Sequence, residues 1–349
     1  MKGISMITGS YTALVTPFRG DAVDYEGLGS LADFQIENGI GGILAVGTTG
    51  ESPCLTWEEH NAVIEEVAKK TKGKCVCIAG TGSNNTKESL AATKHAAHAG
   101  ADAVLLMDPY YNGPSSLEIR KEYIGPVAKA FPDIQVIPYV IPGRTGTQLL
   151  PEDIALLSKE FKNVSTVKEA TGNIENMRRT RECCGPDFII LSGDDGMTSQ
   201  MMTDPDVKAS GAISVASNIA PRAVSEMIRF FEQGNVAEAK RLASALQPLF
   251  DLVTVKTMEK TPYGEVVFRA RNPLAFKALM SILGMPSGRC RQPLGKLTQN
   301  AMDKILGAAR KVQSDNPEIF KPIAEFFSVD IEERLNTPSN WKSLVYEGY

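Results

Sequence analysis

The residue with the clearest chemical potential is a lysine at the end of an apolar, strand-like run. Lys168 follows the run VSTV at 164–167, a stretch that would normally exclude a charged side chain. Burial disfavours the ammonium form and lowers the pKa of a lysine, which leaves a neutral amine able to attack a ketone. The position is compatible with Schiff-base chemistry, but a lysine that reaches solvent from the strand end, or that pairs with Glu51 or Glu169, fits the same pattern.

A Schiff-base lysine needs groups that move protons and groups that hold a substrate. Tyr139 and the adjacent Thr48 and Thr49 supply hydroxyls that can exchange protons through hydrogen bonds. Arg144, in the turn PGRTG, carries a planar guanidinium suited to a carboxylate. Each residue also has a plain structural alternative, since a buried tyrosine usually belongs to the core and a loop arginine is usually solvated. Together they suggest a site for a keto acid.

Eight apolar runs recur along the first two thirds of the chain, with amphipathic segments between most of them. The runs begin near residues 11, 42, 75, 103, 135, 164, 188 and 212. Strands that alternate with helices pair in parallel, and eight such units predict an α/β fold of the (β/α)8 TIM-barrel type. Since the reactive groups of such a barrel gather at the carboxyl ends of its strands, the candidate residues are expected to meet at one mouth.

After the eighth run the pattern changes to helices. We expect residues 1–233 to form the catalytic barrel and residues 234–314 to form a C-terminal helical appendage without strands between its helices. Within it, residues 254–271 are expected to form an inserted charged loop, whose Pro-Tyr-Gly turn could tip a hairpin. The acidic tail 315–349 holds six aromatic residues, too many for a solvated linker, so we expect it to pack on the barrel or on a neighbouring subunit.

Composition narrows the function classes. The 349 residues include 37 Lys and Arg against 41 Asp and Glu, a net charge of −4 without basic blocks, so neither nucleic acid nor a membrane is expected as a partner. No apolar run approaches the roughly 18 residues that span a bilayer. The first seven residues lack the apolar segment of a signal peptide, which predicts a cytoplasmic protein. The three histidines form no cluster with acidic residues, and no nucleotide fingerprint is present, so neither a metal nor a cofactor is expected.

Four motifs together resemble the dihydrodipicolinate synthase / N-acetylneuraminate lyase family of pyruvate-dependent class I aldolases. They are GTTGE at 47–51, DPYYN at 108–112, KEATGN at 168–173 and GAISV at 211–215. The resemblance implies a lyase that condenses pyruvate with L-aspartate 4-semialdehyde to 4-hydroxy-tetrahydrodipicolinate in lysine and diaminopimelate biosynthesis. Two alternatives stay open: another aldolase of the family, acting on N-acetylneuraminate, a sugar acid or hydroxy-oxoglutarate, and a non-catalytic pyruvate or amino-acid sensor.

The resemblance also implies roles for individual residues. Lys168 would form the imine with pyruvate, and Thr48, Tyr139 and Tyr111 would form the proton relay, with Tyr111 contributed across a tight dimer interface of a homotetramer. Thr49 would hold the pyruvate carboxylate. Arg144 would hold the carboxylate of the semialdehyde. Gly193 and Ile213 would shape the pocket.

A second candidate site resembles the lysine feedback site that the synthase branch often carries at the dimer interface. Five residues form this resemblance: Ser52, His60, Asn84, Glu88 and Tyr110. Pro53 and Trp57 depart from the pattern, and Trp57 could fill the pocket. The sequence therefore leaves sensitivity to lysine open.

Overall fold

Eight parallel strands close into a barrel in the computed structural model, which describes residues 8–349. Each strand pairs with the next strand along the chain, and the eighth pairs back with the first. This arrangement confirms the predicted (β/α)8 TIM barrel. The strands are β1 Gly9–Ala13, β2 Gly42–Ala45, β3 Val76–Gly80, β4 Ala103–Met107, β5 Gln135–Val140, β6 Thr166–Glu169, β7 Ile189–Ser192 and β8 Gly211–Ser214.

Helices follow the strands and cover the outside of the barrel. A π-helical segment, Ile119–Ile124, joins two of them into one continuous helix. The barrel helices are α1 Tyr25–Glu37, α2 Trp57–Thr71, α3 Thr86–Ala99, α4 Ser116–Glu118, α5 Gly125–Ala130, α6 Pro142–Thr145, α7 Pro151–Glu160, α8 Ile174–Cys184, α9 Thr198–Thr203 and α10 Pro221–Glu232. The C-terminal helices are α11 Val236–Phe250, α12 Leu274–Ile282, α13 Gln299–Asp315, α14 Lys321–Phe327 and α15 Ile331–Asn336.

Helix α2 shows how the sequence sets these elements. Thr56 caps its first turn by accepting a hydrogen bond from the backbone of Glu59, whose side chain accepts one from the Thr56 backbone in return. Val63, Ile64 and Val67 recur at helical spacing and are buried. The same helix therefore begins at a defined residue and turns one apolar face toward the strands.

The strands separate two layers of side chains. Along β6, Val167 belongs to the core between strands and helices, whereas Lys168 faces the barrel interior beside Tyr139. This alternation is the ordinary period of two of a β-strand. The interior is filled mainly by apolar side chains, so a charged group placed there at the end of a strand is held away from water.

The C-terminal region differs from the prediction in one respect, because it contains two strands. Residues 254–271 form an antiparallel hairpin, β9 Thr254–Thr261 with β10 Gly264–Arg271. The expected absence of strands between these helices was wrong, whereas a hairpin is present at the Pro-Tyr-Gly turn that the sequence suggested as its tip. Charged residues alternate there with Val255, Thr257 and Ala270, which are buried, so one face of the hairpin packs while the other stays in solvent.

The tail contacts the barrel through aromatic rings. Phe326 and Phe327 lie 5.4 and 5.3 Å from Phe34 of α1, measured between ring centroids. Phe320 and Trp341 are also buried. Phe326 and Phe327 of the tail therefore pack against α1 of the barrel.

Residues 8–349 contain no helix that is long and apolar enough to cross a membrane. Within the same range, no group of three or more His, Cys, Asp or Glu residues could hold a metal ion. Residues 1–7, on which the expected lack of a signal peptide depends, lie outside the described residues.

Candidate active site

Lys168 lies at the mouth of the barrel with only 4% of its surface exposed. Burial lowers its pKa from 10.5 to about 7; the nearby Asp195 carboxylate opposes this effect and the Arg144 guanidinium adds to it. Among the described residues, Lys168 has no hydrogen bond or ion pair. A large share of this amine is therefore neutral at physiological pH and available as a nucleophile.

The two carboxylates that the sequence suggested as partners of Lys168 are engaged elsewhere. Glu51 accepts a hydrogen bond from Lys277 Nζ at 2.7 Å, and this ion pair is almost fully buried. Glu169 accepts a hydrogen bond from the backbone of Thr171 at 2.7 Å. The structural alternative raised by the sequence, a charge-neutralised lysine at a strand end, does not describe Lys168.

Tyr139 is the neighbour of Lys168 on the adjacent strand. The two residues are directly opposite in the β5–β6 register, and Lys168 Nζ lies 4.2 Å from the centroid of the tyrosine ring. Burial raises the pKa of the Tyr139 phenol to about 12, against the opposing effects of Arg144 and Thr48. The phenol is therefore protonated at neutral pH and can donate a proton beside the amine.

The loop after β2 carries the two adjacent threonines. Val46 and Glu51, on either side of this loop, have φ angles of 47° and 56°, a conformation that is costly for a β-branched valine. The Thr48 hydroxyl donates to the sulfur of Met107 at 3.7 Å. Thr49 is buried. The strained turn places the Thr48 hydroxyl at the mouth, on the side next to Tyr139.

Arg144 lies on the short helix α6 after β5 and is half-buried. Its Nη1 atom donates to the carbonyl of Asn272 at 3.4 Å, and burial lowers its pKa. Arg271, the last residue of β10, donates to the backbone carbonyl of Gly143, which precedes Arg144, at 3.2 Å. The end of the hairpin thus holds the guanidinium near the mouth.

Two further predicted positions adjoin Lys168 or the barrel interior. A Cβ at Gly193 would lie 3.0 Å from both Cγ and Cε of Lys168, so the glycine leaves room for the lysine side chain. Ile213 is buried in the interior core, paired with Tyr11 of β1. Together with Lys168, Tyr139, Thr48 and Arg144, these residues surround one end of the barrel.

Tyr111 is the predicted catalytic residue that this chain does not bring to its own site. Its side chain is 77% exposed. Asn84 Oδ1 accepts hydrogen bonds from the backbones of both Tyr110 and Tyr111, at 2.8 and 2.9 Å. The loop is therefore fixed in a position that presents Tyr111 to solvent.

The five residues of the second candidate site line a cavity of about 260 Å³ that also reaches Thr48 and Tyr139. They are Ser52, His60, Asn84, Glu88 and Tyr110. Trp57 lines the same cavity, with its ring centroid 5.0 Å from that of His60. The cavity therefore connects the two candidate sites within one chain.

Sequence reasoning missed the roles of Asp108 and Asn272. Asp108 ends β4 fully buried; one carboxyl oxygen accepts from the backbone of Leu149 at 2.9 Å and the other has no partner among the described residues. Burial, together with Glu169, raises its pKa to about 7. An acid at the end of an apolar strand is the same signal that singled out Lys168. Asn272 had no comparable signal.

Comparison with known proteins agrees with this geometry. The model of the dihydrodipicolinate synthetase family matches residues 6–311. The chain belongs to this family. A family relative from Methanococcus vannielii, 4-hydroxy-tetrahydrodipicolinate synthase, is 40% identical over 300 residues, which are 86% of this chain and 96% of the relative.

Solved structures of family members have the same fold. Dihydrodipicolinate synthase from Aquifex aeolicus superposes with a TM-score of 0.80 at 37% identity, over 90% of this chain and all of that one. The enzyme from Cyanidioschyzon merolae, solved with lysine bound, gives a TM-score of 0.79 at 36% identity, over 87% of this chain and 98% of that one. The match extends through most of the C-terminal region as well as the barrel.

Proposed function

We propose that this protein is a lyase that condenses pyruvate with L-aspartate 4-semialdehyde to give 4-hydroxy-tetrahydrodipicolinate. The observation that carries the proposal is the buried amine of Lys168, which has no hydrogen bond or ion pair within residues 8–349 and lies 4.2 Å from the ring centroid of Tyr139. The family relatives that bear the name of this activity support the choice of reaction.

The neutral amine of Lys168 attacks the keto carbon of pyruvate, and loss of water gives an imine. The protonated imine nitrogen draws electrons from the methyl group, which loses a proton to the relay of Tyr139 and Thr48 and becomes an enamine. The enamine carbon forms a bond to the aldehyde carbon of the second substrate. The aldehyde oxygen takes up a proton from the relay.

The two substrate carboxylates need separate partners in this scheme. Thr49 and the backbone of its loop would hold the carboxylate of pyruvate, and Arg144 would hold that of the semialdehyde through charge-assisted hydrogen bonds. The semialdehyde amine then attacks the imine carbon and displaces Lys168, which closes the ring and frees the enzyme. Gly193 and Ile213 would leave room for the growing chain beside the lysine.

Borohydride reduction in the presence of pyruvate tests the proposal. The expected result is a stable pyruvate adduct on Lys168, identified by peptide mass spectrometry. Lys277, which is equally buried but paired with Glu51, is the internal control and should stay unmodified. An unmodified Lys168 would overturn the proposed function. Arg144→Ala should abolish turnover with the semialdehyde while leaving pyruvate trapping nearly intact, and equal loss of both would contradict its role.

A second copy of the chain would complete the relay. In support, Tyr111 is exposed on a loop held in place by Asn84, outside the mouth of its own barrel. We propose that it enters the site of a partner within a tight dimer of a homotetramer. Co-expressed Lys168→Ala and Tyr111→Phe chains should then regain activity, because a mixed dimer has one site with both groups. Mixed dimers no more active than the single variants would contradict this arrangement.

Free L-lysine is the proposed ligand of the second site. Glu88 supplies a carboxylate for an ammonium group, and Ser52, Asn84 and Tyr110 supply polar partners around the same cavity. Inhibition of turnover by lysine, weakened in Glu88→Gln, is the expected result. Unchanged turnover at millimolar lysine would exclude feedback control.

A further inference from the structure

Asn272 is the one residue in the described chain that hydrogen-bonds to both predicted carboxylate-binding side chains. Its side-chain Nδ2 atom donates to the Thr49 hydroxyl at 2.8 Å, and its backbone carbonyl accepts from Arg144 at 3.4 Å. The residue lies between the hairpin and α12 and is only 4% exposed. It comes from the C-terminal region, more than 200 positions after the loop that it contacts.

The direction of the first of these bonds constrains the threonine. A hydroxyl carries one proton and two lone pairs, whereas an amide nitrogen can only donate. Because Asn272 occupies a lone pair of Thr49, the threonine proton is left free to point elsewhere. A carboxylate is an acceptor only, so that free proton is what it needs from Thr49.

We propose that Asn272 is a positioning residue that turns the Thr49 hydroxyl proton toward the carboxylate of the keto acid. The inference rests on the proposed function, because it takes pyruvate as the ligand of Thr49. Its consequence is that part of the affinity for the first substrate resides in a residue outside the barrel.

The surroundings of Asn272 support a fixed geometry. Its backbone donates to the carbonyl of Val253 at 2.9 Å, which ties it to the turn that follows α11. Five residues further on, Lys277 makes the buried ion pair with Glu51 at the other end of the threonine loop. One contact from Asn272, just before α12, and one from Lys277, within α12, therefore hold Thr49 and Asn272 in register. The Asn272 Oδ1 atom has no partner in residues 8–349, so the contact with Thr49 sets the orientation of the amide.

Asn272→Ala tests the proposal through the pyruvate concentration that half-saturates borohydride trapping on Lys168. Loss of one neutral hydrogen bond should raise this concentration by about 3- to 10-fold. The KM of the semialdehyde should change by less than about 2-fold, since Arg144 contacts the backbone carbonyl, which alanine retains. Asn300→Ala is the matched control: its amide donates to Glu259 of the hairpin, and the half-saturating concentration should not change.

A double-mutant cycle separates positioning from general damage to the fold. In a Thr49→Val background no hydroxyl remains to be oriented, so Asn272→Ala should then have less than about a 2-fold effect. Asn272→Asp keeps the size of the side chain but accepts the threonine proton, and it should weaken pyruvate binding more than alanine does. Asn272→Asp also tests the proposal if the alanine variant does not fold.

Several results would overturn the inference while the proposed function stands. They are wild-type-like half-saturation in Asn272→Ala, an equal effect in the Thr49→Val background, and an aspartate variant that binds pyruvate as well as the wild type. Failure of the wild-type protein to trap pyruvate on Lys168 would instead refute the proposed function, so the two failures are distinguishable.

Discussion

Replacing Lys168 by methionine should stabilise the folded chain at neutral pH. Methionine has nearly the same length and carries no charge, so it removes an unpaired basic group from the barrel interior. The pKa of this lysine is about 7 in the folded protein and 10.5 for an ordinary lysine. Because the folded value is the lower one, the unfolded chain binds more protons between these limits. The wild-type protein therefore gains stability from this group as the pH rises from 7 to 10.5.

The size of the effect follows from the two pKa values. One pKa unit corresponds to about 1.4 kcal/mol. The lowered pKa of Lys168 therefore reduces the free energy of unfolding of the wild-type protein by about 4 kcal/mol at pH 7 and about 1 kcal/mol at pH 10. The methionine variant bears no such cost. Its stability advantage over the wild type should therefore shrink by about 3 kcal/mol between the two pH values.

Urea unfolding at pH 7 and pH 10 measures this difference, with both proteins at the same protomer concentration because assembly adds to apparent stability. Lys277→Met is the matched control. That lysine is equally buried but paired with Glu51, so its loss leaves a carboxylate alone in the interior and should destabilise the fold by about 3 to 5 kcal/mol. A pH-independent advantage for Lys168→Met, or a variant less stable than the wild type at pH 7, would refute the reasoning.

Three other outcomes are expected. The rate of pyruvate trapping should rise with pH around a midpoint near 7, as the neutral amine of Lys168 appears, and a full rate at pH 5 would contradict this. Asp108→Asn should gain about 3 kcal/mol over the wild type between pH 5 and pH 8 in urea unfolding, since the raised pKa of this acid makes its ionisation costly; a constant difference would contradict that cause. Phe34→Ala should lose about 3 kcal/mol and speed proteolysis after residue 315, because Phe326 and Phe327 lose their partner, whereas unchanged proteolysis would show that the tail is held elsewhere.

The barrel and its lysine could be predicted because their signals are local. Each strand is a short apolar run, and Lys168 interrupts the pattern at a strand end. The rule that active sites lie at the carboxyl ends of barrel strands then gathers distant residues without any three-dimensional information. Asp108 carries the same local signal, an ionisable residue directly after an apolar run, which its place in the DPYYN motif does not convey.

The contacts from the C-terminal region could not be predicted in the same way. Nothing in the neighbourhood of Asn272 indicates that its amide meets Thr49, since that contact depends on how α12 docks on the mouth. The strands of the hairpin could not be predicted for a different reason. Charged residues stand on both of its faces, Lys256 exposed and Glu259 buried, so the alternation of buried and exposed positions in β9 is not an alternation of apolar and charged residues.

The buried pair of Lys277 and Glu51 bears on how this protein can be shortened or recombined. A chain that stopped at residue 233 would keep all eight strands and Lys168, yet it would leave an acid without its counter-charge beneath the threonine turn. The smallest unit that should be exchanged between relatives as one block is therefore the barrel together with the chain through Arg291, because the Arg289 carbonyl accepts from Lys277 and the Arg291 backbone donates to Glu51. Helices α13 to α15 make no hydrogen bond to this pair among the described residues, so their sequences can diverge more freely.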